Sequence, residues 1–366
     1  MKKATFFFAI LLMNTLFCLG QEKQFNLQDF YDYNPILEHK VDVLFQSLTD
    51  YERVAQMIVT SAGELGKSNK IVKRLVRENK VGGVIYLKGT KESHKNLISE
   101  LNKIAIQNNQ LPLLHSMDAE PGLLKGRIKG SQQLPDAIEI KTIKECDSVV
   151  RVINQELLNI GVRQNFAPVV DISPNNEAIK SRSFGNDKNN VIKLSKSFIK
   201  TTQEEQIIAT AKHFPGHGLV KGDTHKQSVY IDGALQELDI YKPLIESGVL
   251  SIMVAHITVK NNKKYSTNGL PASCSKNIVT DLLKNKLNFK GLIITDAMNI
   301  MKAVTIIKNA PLQASKAGCD MILMPIDETN TRDQILAEMN INEAYKQQVY
   351  QSIKKIIRLK VCLGLL

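Results

Sequence analysis

The chain has 366 residues, 43% of them hydrophobic and 23% charged, with a formal net charge of +12 at pH 7. Such a composition is that of a soluble globular protein, long enough for one large barrel or two ordinary domains. The lysines are scattered, and no basic stripe with interleaved aromatics forms a nucleic-acid groove, so no nucleic-acid partner is expected.

In chain order, the first element is a targeting segment. Lys2 and Lys3 precede the apolar run ATFFFAILLMNTLFCLG, with Cys18 and Gly20 just before Gln21. This predicts a secretory signal over residues 1–20, too short and wrongly flanked for a membrane span. Phe17 stands where a lipoprotein site needs a small residue, so Cys18 is not read as lipidated. Cleavage removes two lysines and takes the net charge from +12 to +10. A basic exported chain suits anionic cell-wall material or an acidic membrane surface, although a lysine-rich solvated face is the simpler reading. The expected location is the periplasm or the cell exterior, and no later apolar run reaches membrane-spanning length.

Residues 21–35, QEKQFNLQDFYDYNP, read as an irregular lead-in. A rhythm of short apolar runs follows. They are QMIVTSA at 56–62, GGVIYL at 82–87, PLLHSMD at 112–118, NFAPVVDI at 165–172, ATAKHF at 209–214, SIMVAHITV at 251–259, GLIITD at 291–296 and DMILMP at 320–325. Between most of them lie segments of helical spacing, such as KESHKNLISELNKIAIQNN and NNVIKLSKSFIKTTQEEQ. The runs are mostly apolar rather than alternating, as parallel strands buried on both faces should be. Eight such strands, each followed by a helix, predict a (β/α)₈ barrel forming one domain over residues 21–366. A doubly wound open sheet is the alternative. The cysteines at 18, 146, 274, 319 and 362 form no CxxC pair and no disulfide framework, and Cys319 beside MILM reads as a core thiol.

Barrel chemistry sits at the C-terminal ends of the strands. There the runs place Asp118 and Glu120, Asp171, Lys212 and His213, His256, and Asp296. From the end of the fifth run, KHFPGHGLVKGDTH at 212–225 concentrates three histidines, two lysines and an aspartate on a stretch that proline and glycine keep from being a helix.

Three chemistries compete for that stretch. His213, His217, Asp223 and His225 are possible zinc ligands, but Pro215 and Gly216 break the helix that an HExxH pair needs, and its glutamate is absent. Phosphate handling has a candidate upstream in AGELGKS at 62–68, yet a P-loop needs glycine where Ser61 stands. Proton transfer fits best. Asp223 and His225, one residue apart, let the carboxylate accept the imidazole Nδ1–H and leave the other nitrogen to shuttle a proton. Asp296 closes its strand either as an N-cap for AMNIMKAV or as a carboxylate placed to attack an anomeric carbon.

The stretch KHFPGHG followed by GDTH resembles the signature of glycoside hydrolase family 3, in its β-N-acetylglucosaminidase branch. GGVIYLKG, MDAEPG, NFAPVVDI, SRSFGND, MVAHI, FKGLIITDAM and SIKKIIRLKVCLGLL fall in the family's order from about residue 55 to the C-terminus. The resemblance implies a (β/α)₈ barrel and retaining hydrolysis of terminal β-linked N-acetylglucosamine. It makes Asp296 the nucleophile and His225, paired with Asp223, the acid/base. Asp118, Lys212, His213, Arg182 and Arg127 become sugar contacts.

No metal or organic cofactor is implied. The expected partner is a glycan or muropeptide, and the expected state a monomer. The third strand end reads DAEPGLLKGR where the family commonly has DQEGGRV, so the loop before Arg127 carries one extra residue. AMNIMKAV is also one residue longer than usual. Within this reading two variants stay open: phosphorolysis by the same site, and a barrel that binds glycans without turnover.

Overall fold

The computed structural model describes residues 24–172, 176–220, 229–300 and 302–366. The expected signal segment lies outside the described residues, as do Asp223 and His225.

Eight parallel strands form the centre: β1 (Ile58–Ala62), β2 (Gly83–Tyr86), β3 (Leu114–Met117), β4 (Gln164–Asn165), β5 (Ile208–Phe214), β6 (Ser251–Val254), β7 (Leu292–Thr295) and β8 (Ile322–Leu323). Each pairs with its sequence neighbour, as in Val59 opposite Gly83, Gly83 opposite Leu114, and Leu292 opposite Ser251. The ring closes where Ile58 pairs with Ile322 and Ile294 bridges Met321. Each of the eight apolar runs supplies one strand, and the architecture is the expected (β/α)₈ barrel rather than an open sheet.

The strands read as unbroken apolar runs because both faces are covered. On β2, Val84 and Tyr86 point outward to Leu97 and Leu101 of the helix layer. Ile85 between them points inward, into a core shared with Val59, Phe166, Met253, Ile294 and Leu323. The helix Ile143–Ile160 shows how local signals set the outer layer. Thr142 and Glu145 form a capping box at its start, Gly161 ends it with φ 93°, and Cys146, Val150, Ile153, Leu157 and Ile160 form its buried stripe.

Two stretches differ from expectation. The fourth run pairs regularly only over Gln164–Asn165, because Pro168 has no N–H to give to a ladder. Pairing resumes at Val169, which bridges Lys212, the Val170 N–H donating to the Lys212 carbonyl at 2.8 Å. The lead-in is also more ordered than its sequence implied. Phe25, Leu27 and Phe30 are buried, and the Arg358 guanidinium of the last helix, Glu343–Cys362, donates from Nε to the Phe30 carbonyl at 2.7 Å.

At the opposite end of the barrel from the rim residues, Lys360 is fully buried. Its Nζ donates to Gln56 Oε1 at 2.5 Å and to the Gly82 carbonyl at 3.2 Å. Burial pushes its pKa down from 10.5 to about 7. The folded state thus disfavours the charged form, and this cost is present below about pH 7 and relieved as pH rises toward the unfolded value. Lys360→Met should therefore gain on the wild type at low pH and lose that advantage at high pH. At about 1.4 kcal/mol per pH unit, the stability difference should change by roughly 3 kcal/mol between about pH 6.5 and about pH 9.5. Denaturant melts of both proteins at the two pH values test this, and a pH-independent difference would refute it.

Candidate active site

The C-terminal strand ends surround a cavity of about 450 Å³, within the range of small-molecule sites. Asp118, Glu120, Arg127, Arg182, Lys212, His213, His217, Asp296 and Asn299 supply its polar lining. Leu65, Leu123, Ile300 and Met324 are among its apolar walls.

One wall is an ionic lattice. Lys212, at the end of β5 and 1% exposed, donates to Asp118 at 2.8 Å and to Glu120 at 2.5 Å. Arg182 forks onto Glu120 with two bonds of 2.8 Å and also donates to the Ala178 carbonyl at 3.1 Å. Arg127 reaches Asp118 at 3.3 Å and the Leu87 carbonyl at 3.3 Å. Burial by itself would raise the Glu120 carboxyl, but the charges of Arg182 and Lys212 hold it well below the usual carboxylate range. Glu120 is therefore a fixed anion that orients two cations toward the cavity. The bidentate fork leaves Arg182 little rotational freedom.

A second group centres on Asp171, beyond β4. Its carboxylate accepts the His213 ring Nδ1–H at 2.7 Å, the His213 backbone N–H at 3.2 Å and the His217 backbone N–H at 2.8 Å. Burial opposes ionisation, yet the neighbouring His213 and His217 keep Asp171 below its ordinary pKa. With Nδ1 committed to Asp171, only Nε2 of His213 remains for a ligand.

Asp296 follows β7. Its own N–H donates to the Val254 carbonyl at 2.9 Å, and Oδ1 accepts the Ala297 N–H at 2.7 Å. Burial again works against the charge, but His213, His256, the Ala297 N–H and Lys212 hold the carboxyl below its usual value. Asp296 is thus an ionised carboxylate facing the cavity. The next described helix begins only at Lys302, so Asp296 does not act as its N-cap.

His256 belongs to the rim by position but not to the lining. It is buried, with Nδ1 2.7 Å from the Ser273 hydroxyl and Nε2 3.2 Å from the Ala297 carbonyl. Burial lowers its pKa, while the nearby Asp296 charge and the hydrogen bond to the Ala297 carbonyl pull it back up. The ring braces the peptide beside Asp296.

Asp223 and His225 are outside the described residues. Val220 and Val229, on either side of that stretch, form a small buried cluster with Ala255 and Ile257 just beyond β6. The GKS stretch has another occupation. Lys67 Nζ donates to Glu328 at 2.5 Å and to the Ile326 carbonyl at 3.3 Å, while Thr60 donates to the same Glu328 at 2.5 Å. Lys67 ties the first strand end to the last. Glu120, read from the sequence only as a rim residue, proves central. Glu237, which carried no sequence signal, lies buried behind the His213 turn.

Residues 49–359 match the family model of the glycosyl hydrolase family 3 N-terminal domain. A β-hexosaminidase of Vibrio cholerae is 31% identical over 266 residues, which span 69% of this chain and 77% of the relative. Another, of Hydrogenovibrio crunogenus, is 32% identical over 280 residues, covering 71% of this chain and 75% of the relative. Among solved structures, a family 3 β-N-acetylglucosaminidase from Paenibacillus aligns with a TM-score of 0.80 at 28% identity. That alignment covers 87% of this chain and 63% of the Paenibacillus chain, so this chain spans less than two thirds of that enzyme's length. The family match takes in every barrel strand and every rim residue described above: the chain belongs to glycosyl hydrolase family 3, in its β-hexosaminidase branch, and is a glycoside hydrolase.

Proposed function

We propose that the chain removes terminal β-linked N-acetylglucosamine with retention of configuration, using Asp296 as nucleophile and His225, oriented by Asp223, as acid/base. The observation that carries this reading is Asp296 itself, an ionised carboxylate opening onto a cavity whose other wall is the Lys212–Arg182–Glu120–Asp118 lattice. The lattice is suited to ring hydroxyls, because Asp118 keeps an exposed edge while Lys212, Arg127 and Arg182 offer donors at fixed positions. His213 adds Nε2 at the same wall.

In the first step Asp296 attacks the anomeric carbon while His225 protonates the departing oxygen, giving a glycosyl ester. In the second, His225 takes a proton from water, which displaces the ester from the opposite face and restores the β configuration. The ordinary histidine pKa lies near neutrality, so the acid needs no large burial-driven shift. Neither step calls for a metal or organic cofactor. The substrates in this reading are muropeptides, chitin-like oligosaccharides or other glycan ends, met in the periplasm or outside the cell after loss of residues 1–20.

Assaying aryl β-N-acetylglucosaminide beside aryl β-glucoside tests the proposal. The acetamido sugar should be hydrolysed with kcat/KM at least about 10-fold higher, since one hydrogen-bonded group is worth that much or more in discrimination. Equal turnover of the two would refute the sugar assignment. Saturable binding without turnover would point to a glycan-binding barrel, and sugar 1-phosphate formed in phosphate buffer to phosphorolysis.

A further inference from the structure

Glu237 opens the helix Leu238–Glu246, but its side chain does not cap it. It turns inward instead and is 4% exposed. Oε1 accepts the N–H of Ile172 at 2.6 Å and that of Gly218 at 3.3 Å, and Oε2 accepts the N–H of Leu219 at 3.3 Å. Ile172 is the residue after Asp171, and Gly218 and Leu219 complete the turn that begins at His213. One carboxylate thus pins the end of the fourth strand to the turn after the fifth.

The glycines of that turn make the approach possible. A Cβ on Gly216, whose φ is +130°, would lie 2.6 Å from Glu237 Cβ and Oε2. A Cβ on Gly218 would fall 1.7 Å from the Ile172 carbonyl oxygen. Any side chain at either position would push the turn off Glu237. Asp171 holds the near end of the same segment through the backbone N–H groups of His213 and His217.

Two buried carboxyl groups therefore grip residues 213–219, and ionising both of them side by side is disfavoured. Burial first, and the Asp171 charge next, push Glu237 up to about 8. An apolar side chain would fill the space without that cost, but it would leave three N–H groups without their acceptor.

We infer that Glu237 is a positioning residue for proton transfer, fixing the backbone of residues 216–219 from which the chain runs on to His225. The inference rests on the reading of His225 as the acid/base. A carboxylate that merely supports the fold would affect all substrates alike. One that sets the departure of the acid/base segment should matter most where the leaving group needs its proton.

The test compares mature wild type, Glu237→Ala, Glu237→Gln and His225→Ala on two substrates: the β-1,4-linked N-acetylglucosamine disaccharide and its dinitrophenyl β-glycoside counterpart. A misplacement of order 1 Å costs about 10²-fold, so Glu237→Ala should lose roughly 10- to 100-fold more kcat/KM on the disaccharide than on the activated glycoside. Glutamine keeps the Oε1 acceptor for Ile172 and Gly218 but sets an amide N–H against that of Leu219. Its substrate ratio should fall between wild type and alanine, and it decides the question if the alanine variant does not fold. An unchanged ratio in both Glu237 variants, with the His225→Ala ratio shifted, overturns this inference alone. An unchanged ratio in His225→Ala overturns the acid/base reading and this inference with it.

Discussion

Asp296→Asn should leave a folded protein that still binds N-acetylglucosamine but has lost roughly 10⁴-fold or more of its turnover, the scale seen when the central member of a covalent mechanism is removed. The fold has little reason to fail. Asparagine keeps an Oδ1 that can accept the Ala297 N–H, and the backbone bond from residue 296 to the Val254 carbonyl is unaffected. No cavity opens, because the two side chains are nearly isosteric. What disappears is the negative charge that His213, His256 and Lys212 stabilise at the cavity edge. An amide cannot form the glycosyl ester.

Two measurements separate this from general damage. A 5-fluoro glycosyl fluoride should label Asp296 in the wild type, recoverable as a modified peptide. Azide should restore turnover of an activated aryl glycoside in Asp296→Gly, and the product should be the α-glycosyl azide, because the small anion enters from the face the carboxylate has vacated. Labelling of another carboxylate, or near-normal activity of Asp296→Asn, would require a different nucleophile.

The barrel was legible because its strands are buried on two faces and so stand out as short apolar runs with polar residues at one end. Pro168 shortened the fourth strand within a run that otherwise read correctly, since a missing N–H removes a ladder bond without changing hydrophobicity. The rim residues were legible for the same reason: Asp118, Lys212, His213 and Asp296 end their runs abruptly. Their partners were not. Arg182 and Glu120 are 62 positions apart, and Glu237 and Ile172 are 65 apart, so nothing in local spacing announces either contact. Asp171 stood in the sequence as one more rim carboxylate, and only its 2.7 Å bond to the His213 ring shows which nitrogen of that histidine remains for a ligand. Ser61 argued against a phosphate loop around Lys67, but nothing local showed that Glu328, from the far end of the chain, holds its ammonium.

His225→Ala tests the other half of the mechanism, and its expected signature is a change in substrate preference. Protonation by an acid matters most when the departing oxygen is a poor leaving group, such as a sugar hydroxyl. A dinitrophenolate leaves with little help. General acid–base catalysis contributes about 10²- to 10⁴-fold, so the variant should lose an amount of that order on oligosaccharides and far less in glycosylation by the activated glycoside. The ester formed from the activated substrate should then accumulate, because in the proposed mechanism the same histidine deprotonates water. A burst of dinitrophenolate followed by a slow steady state would report this. The basic limb of the wild-type pH profile should flatten, since loss of the histidine proton no longer limits the reaction. Asp223→Ala should reproduce the pattern more mildly, because in the proposed mechanism it removes only an orienting carboxylate. A uniform loss across leaving groups would mean that residues 223–225 shape the pocket. The acid would then have to be sought among the remaining groups that line the cavity.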